Sequence, residues 1–172
     1  IMTIKKPTCI KKSKEKIVRR FLTISFLLCY TAVFGQLRIV VATDGSGDFK
    51  SIQGAINSLS DSSDTVRTIF IKKGVYREKI YIEKNNIELI GEDRSGTIIT
   101  ASIARDIWRC GHTDDWGVAT LNVGANDISL KNLNIINSFG FEANEDIKVN
   151  CPGDSLHKSG KPVRKDGHQM AL

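Results

Sequence analysis

Apolar residues recur at every second position through the stretch 68–100: Ile69 with Ile71, Ile80 with Ile82, Ile87 with Leu89, then Ile98 with Thr100. Between them stand Phe70, Lys79, Tyr81 and Glu88, which are mostly polar or amphipathic. Alternation at period two sends successive side chains to opposite faces, so each pair predicts a short strand buried on one side. The connectors are Lys73-Gly74, Lys84-Asn85-Asn86 and the run from Gly91 to Gly96, rich in residues that accept tight turns or positive φ. None is long enough for the helical crossovers that a doubly wound α/β sheet requires.

The pattern also returns. Asn86-Ile87-Glu88-Leu89-Ile90-Gly91 is echoed 41 residues later by Asp127-Ile128-Ser129-Leu130-Lys131-Asn132, and the pair Leu133 and Ile135 follows at once. Short strands, turn residues and a recurring apolar pair predict an all-β coil whose turns stack on one another, a β-helix. Periodicity alone leaves an antiparallel sandwich or barrel open.

Ahead of this stretch, Leu37–Ala42 reads as a strand and Thr43-Asp44-Gly45-Ser46-Gly47 as a turn. The two glycines are not a phosphate loop, because no Lys-Ser/Thr follows them. Asp48 is placed to cap a helix from Phe49 to Leu59, with Phe49, Ile52, Ile56 and Leu59 on one face. It is the one good amphipathic helix in the chain, and a helix before the first turn would cover the open end of a stacked coil. Strands resume at Val118–Val123 and run through Ile136, and His168–Leu172 again reads as strand. Two irregular segments interrupt the coil, Ser102–Gly117 with both tryptophans and Asn137–Gly167. A long insertion of this kind tends to build one wall of a binding groove. Trp108 and Trp116 can stack on sugar rings, and either can instead pin its loop to the core.

Charge alters the picture at one end only. Eight of the 25 Lys and Arg fall in residues 2–20 against one acidic residue, Glu15, so the net +6 is concentrated there and the rest of the chain is near neutral. The uncharged run Phe21–Gly35 follows directly, which gives residues 1–35 the form of a secretory signal with cleavage after Gly35. At 15 residues the run is short for a membrane span, which needs about 20. An uncleaved anchor is the alternative; a basic nucleic-acid tail would leave the apolar run unexplained. Cys9 and Cys29 would leave with the signal, and Cys110 and Cys151 remain as a pair or as two free thiols. His112, His157 and His168 are scattered and read as solvated loop residues, so no metal site is expected.

Several of these blocks resemble, in order, the N-terminal half of a bacterial-type pectinesterase (pectin methylesterase). They are Val41–Phe49 with its helix, the signature Gly74-Val75-Tyr76-Arg77-Glu78 after Ile71, Leu89-Ile90-Gly91 leading to Thr97–Thr100, Ala119–Val123, Leu133–Asn137 and His168–Leu172. The resemblance covers residues 40–172. It implies a right-handed parallel β-helix, here truncated and with an N-terminal capping helix, that hydrolyses methyl esters of galacturonate units in pectin to methanol and acidic pectin. It implies no cofactor, a secreted enzyme acting on methyl-esterified homogalacturonan, no stable membrane association after signal cleavage, no nucleic acid and a monomer when full length. Residues 36–172 would be the N-terminal part of that domain.

Site residues carry over at two positions. The family's glutamine in the HQ-x-x-AL strand matches Gln169, implied to support the oxyanion, and a substrate-contacting threonine matches Thr120. The two aspartates of that family, its second glutamine, Arg and Trp are expected in strands after Leu172, and with Ile1 standing before Met2 the chain is expected to be a fragment that is inactive alone. A neutral amide suits the oxyanion task, since it donates N–H groups to developing negative charge without titrating. On the residues alone, Gln169 equally fits a polar ladder along the coil, and Thr120 an ordinary strand position. Two other functions stay open: a β-helix polysaccharide lyase or glycosidase, and a non-catalytic pectin-binding surface protein.

Overall fold

The computed structural model describes residues 38–142, 145–152, 159–165 and 167–172. The proposed leader with Cys9 and Cys29, and His157, lie outside the described residues.

The alternating pairs form strands that hydrogen-bond in parallel to strands one full turn away. After β1 (Ile39–Val41), one turn of coil comprises β2 (Arg67–Ile71), β3 (Gly74–Arg77) and β4 (Ile80–Ile82). The next comprises β5 (Ile87–Gly91), β6 (Thr97–Ala101) and β7 (Leu121–Val123), and the third begins with β8 (Ile128–Lys131) and β9 (Asn134–Asn137). These stack into three parallel sheets: β1-β2-β5-β8, β3-β6-β9 and β4-β7. Residues 168–172 continue the third sheet, because Thr120 and Leu121 donate backbone N–H groups to the Met170 and Ala171 carbonyls at 3.3 and 3.0 Å. The architecture is a parallel β-helix, and the antiparallel alternatives fall away.

The 41-residue echo is the coil repeat itself, since Ile87 pairs with Ile128 and Leu89 with Leu130. Its turns coincide as well. Asn86 and Asp127 close equivalent corners at φ 56° and 58°, a left-handed conformation that short polar side chains tolerate. Asn85 Oδ1 accepts from Asn126 N–H at 2.8 Å, tying one corner to the next.

Inside the coil the apolar pairs form ladders. Ile39, Ile69, Leu89 and Leu130 occupy one row of the first sheet, and Ile69, Ile71, Ile80, Ile82, Ile87 and Leu89 are fully buried. One pair is out of phase with the sequence reading: Thr97 and Ile99, not Ile98 and Thr100 as a pair, face inward in β6. The run Thr-Ile-Ile-Thr has no polar alternation of its own, so its phase is set by pairing, where Ile99 stacks on buried Tyr76.

The helix is shorter than expected, with α1 spanning Ile52–Ser58. Asp48 does not cap it. Its carboxylate accepts from Val40 N–H at 2.8 Å, because Phe49 is bridged to Val41 and holds the chain extended. Ser51 caps instead, its hydroxyl accepting from Gly54 N–H. The Glu78 carboxylate of the signature motif also accepts from Ile52 and Gln53 N–H at 2.8 and 3.0 Å. Gln53 then takes the place of a neighbouring strand for β4, accepting from Tyr81 N–H and donating to Tyr81 O. Ile52, Ala55 and Ile56 join the core, so α1 covers the first turn of the coil. Charge-assisted bonds at a helix N-terminus should make Glu78→Gln cost about 1–3 kcal/mol. Equilibrium urea unfolding checks this, and an unchanged midpoint would mean that the cap contributes nothing.

Candidate active site

Between the second and third sheets, the first turn of the coil needs only Glu78 and Lys79, whereas the second and third carry long insertions at the same corner. The first insertion contains α2 (Arg105–Trp108); the second contains α3 (Phe139–Glu142), β10 (Ile147–Val149) and β11 (Lys161–Val163), the last two paired antiparallel. Because both leave from one corner, they stack. Ala104, Phe139 and Val163 bury one another in a small core of their own. Arg105 N–H donates to His168 O, Lys161 Nζ lies 3.4 Å from Asp106, and Cys110 and Cys151 are joined by a disulfide with Cα atoms 4.7 Å apart.

The first insertion is held by a bidentate pair, with Arg105 Nε 3.0 Å from both Asp115 oxygens and Nη2 2.8 Å from one of them. Those hydrogen bonds hold the Asp115 carboxyl below the usual carboxylate range. Trp108 is engaged within the chain: it stacks on His112 at 3.5 Å and takes the Lys79 ammonium over its ring at 3.6 Å. Here the structure favours pinning over sugar stacking, and His112 is a packing partner rather than a merely solvated residue. Gly117, at φ 85°, passes against Tyr81 and Trp108 where a Cβ would strike both rings. Trp116 is about half exposed.

Gln169 lies at the start of the third-sheet continuation, partly buried. Its Oε1 accepts from Gly140 N–H at 3.0 Å, and among the described residues its Nε2 donates one long bond of 3.3 Å to Gly167 O. The amide is therefore oriented by its oxygen while its donor end is only weakly spent. Thr120 is fully buried, its hydroxyl donating to Ile136 O at 3.0 Å. The structure brings both residues to one corner, and it adds a residue that pattern reading passed over. Asn137 donates to Ile103 O and Met170 O and accepts from Ile103 and Phe139 N–H. One buried side chain thus ties both insertions and the Gln169 strand together. An Asn closing an apolar strand just before an insertion was the only sequence signal for it.

Three parallel sheets wound as one coil, with long insertions leaving a single corner, define the class of parallel β-helix proteins, a fold that hosts several chemistries. The pectinesterase family model matches residues 38–169, and the chain belongs to the pectinesterase family. It is 38% identical over 107 residues to Pectinesterase A of Dickeya dadantii, covering 60% of this chain and 28% of that protein. It is 30% identical over 135 residues to probable pectinesterase/pectinesterase inhibitor 23 of Arabidopsis thaliana, covering 77% of this chain and 23% of that protein. Among solved structures, pectin methylesterase PemA from Erwinia chrysanthemi superposes with a TM-score of 0.53 at 33% identity, over 73% of this chain and 36% of that one. A pectin methylesterase in complex with hexasaccharide VII gives a TM-score of 0.52 at 34% identity, over the same shares. The chain thus spans about a quarter of the length of these curated relatives.

Among the described residues, no group of three or more His, Cys, Asp or Glu could hold a metal ion. Nor is any described helix long and apolar enough to cross a membrane.

Proposed function

We propose that this chain forms the first coils of an exported pectin methylesterase and supplies the oxyanion side of its site. The reaction is hydrolysis of galacturonate methyl esters: a carboxylate attacks the ester carbonyl, methanoxide leaves as methanol on taking a proton, and water then releases the acid. Within this reading Gln169 donates to the carbonyl oxygen as it gains charge. The observation that carries the proposal is the Gln169 amide itself, fixed through Oε1 by Gly140 and weakly engaged at Nε2, in a chain of this family. Thr120 enters the reading as the residue just ahead of β7, buried, with its hydroxyl donating inward to Ile136 O. Residues 1–35 act as the export signal.

Methanol release from methylated pectin tests the proposal. A full-length protein carrying this chain should release methanol, and residues 36–172 alone should not, because an oxyanion donor does not replace a nucleophile. A full-length protein without methanol release would sink the reading, and turnover by residues 36–172 alone would show that the nucleophile lies within them.

A further inference from the structure

The carboxamide of Asn137 stands where β9 ends and the second insertion begins, and the residue is only 6% exposed. Its Oδ1 accepts from Ile103 N–H at 3.1 Å and from Phe139 N–H at 3.2 Å, while its Nδ2 donates to Ile103 O at 2.7 Å and to Met170 O at 3.0 Å. Those bonds use both lone pairs and both N–H groups of the amide. They also fix which end is which, because backbone N–H groups only donate and backbone carbonyls only accept. An aspartate of the same shape would keep the two accepting bonds and lose the two donating ones.

Two of these bonds hold Gln169 from opposite ends of its side chain. Met170 follows Gln169 in the chain, and its carbonyl takes the Asn137 bond together with a longer one, 3.3 Å, from Thr120 N–H. Phe139 precedes Gly140, whose N–H is the donor to Gln169 Oε1. Asn137 therefore secures both the backbone from which Gln169 projects and the backbone to which its amide is anchored. Among the described residues Gln169 Nε2 donates one bond, of 3.3 Å, so its direction depends on those two backbone positions more than on a partner of its own.

We propose that Asn137 is a positioning residue for the ester hydrolysis: it touches no reacting atom and sets the direction of the Gln169 amide N–H. This role rests on the oxyanion reading of Gln169. An oxyanion donor acts only when its N–H is aimed at the place where charge develops. Misplacing such a group by about 1 Å can cost about 10²-fold in rate. A long glutamine side chain has many rotamers open to it, and the hold at both ends removes that freedom before substrate arrives.

Asn137→Asp in a full-length protein carrying this chain tests the role. Its kcat for methanol release should fall by about tenfold or more with KM little changed, and in a Gln169→Ala background the same substitution should lower kcat no further. An unchanged kcat in folded Asn137→Asp, or losses that multiply in the double variant, would overturn the proposal. Leu89→Ala, buried in the first sheet, shows what lost stability alone does to turnover; its kcat should hold, and an equal fall there would also overturn it. Hydrogen exchange reads the same hold without turnover. The Gly140 amide should exchange at least about tenfold faster in Asn137→Asp than in the parent, and unchanged protection would count against the role. In the unaltered protein the Ile103 and Phe139 amides should be protected, and exchange of either at the rate of an open peptide would overturn the proposal whether or not any variant folds. A parent without methanol release would refute the esterase reading, and a normal kcat in Gln169→Ala the oxyanion reading; in both cases the exchange rates still decide whether Asn137 holds the Gln169 anchor.

Discussion

Gln169→Ala in a full-length pectinesterase carrying this chain should lower kcat by about 10²-fold or more with a smaller change in KM, as loss of one oxyanion donor does in other hydrolases. The bond in question strengthens only as the carbonyl oxygen gains charge, so its loss falls on the transition state more than on the bound ester. A rival account is that the side chain only braces the second insertion, since Oε1 accepts from Gly140 N–H. In that case alanine leaves a backbone donor unpaired, costs about 1–3 kcal/mol of stability and spares turnover. Gly140→Ala separates the two accounts a second time. A Cβ there would collide with the end of the Gln169 side chain, which can swing away, and with no backbone group of another strand. The substitution should therefore displace the amide and lower kcat, whereas a side chain that only braces the insertion would lower the melting temperature and leave kcat unchanged. A normal kcat with a lowered melting temperature in Gln169→Ala would assign the residue to the scaffold.

How much of this was legible in the chain follows from which interactions are local. The ladders were legible because Ile69, Ile71, Ile80, Ile82, Ile87 and Leu89 alternate with polar residues, and a one-residue slip would turn each set outward. The coil repeat was legible because Asn86 and Asp127 must both close a left-handed corner ahead of an identical apolar pair. Thr97–Thr100 was misphased because four β-branched residues in a row carry no alternation, and the deciding contact with Tyr76 comes from another turn of the coil. The cap was misassigned for a similar reason: Asp48 precedes an apolar run as a cap would, but the Val41–Phe49 bridge holds that segment extended. Gln169 and Thr120 could be singled out by family resemblance alone. Lys79 and Asn137 could not be found from the sequence, because their roles depend on insertions that meet only after the coil has stacked.

Stacking also predicts a graded cost along a single row of side chains. Leu89 sits between Ile69 on one side and Leu130 on the other, and it is fully buried. Removing its side chain beyond Cβ forfeits transfer free energy and leaves a void whose walls are held by strands on both sides, which limits collapse. Leu89→Ala should therefore cost about 2–5 kcal/mol, the range for buried Leu to Ala changes in rigid cores. Leu130 occupies the next place in the same row and has the same chemistry, but it is only half buried. Less surface is returned to water there and the neighbouring side chains are freer to settle, so Leu130→Ala should cost distinctly less. Urea unfolding of the two variants at equal slope measures the difference directly. Equal losses would mean that the row is not a closed ladder at Leu89. A larger loss at Leu130 would place the stable interior of the coil one turn further along the chain than the burial of Leu89 requires.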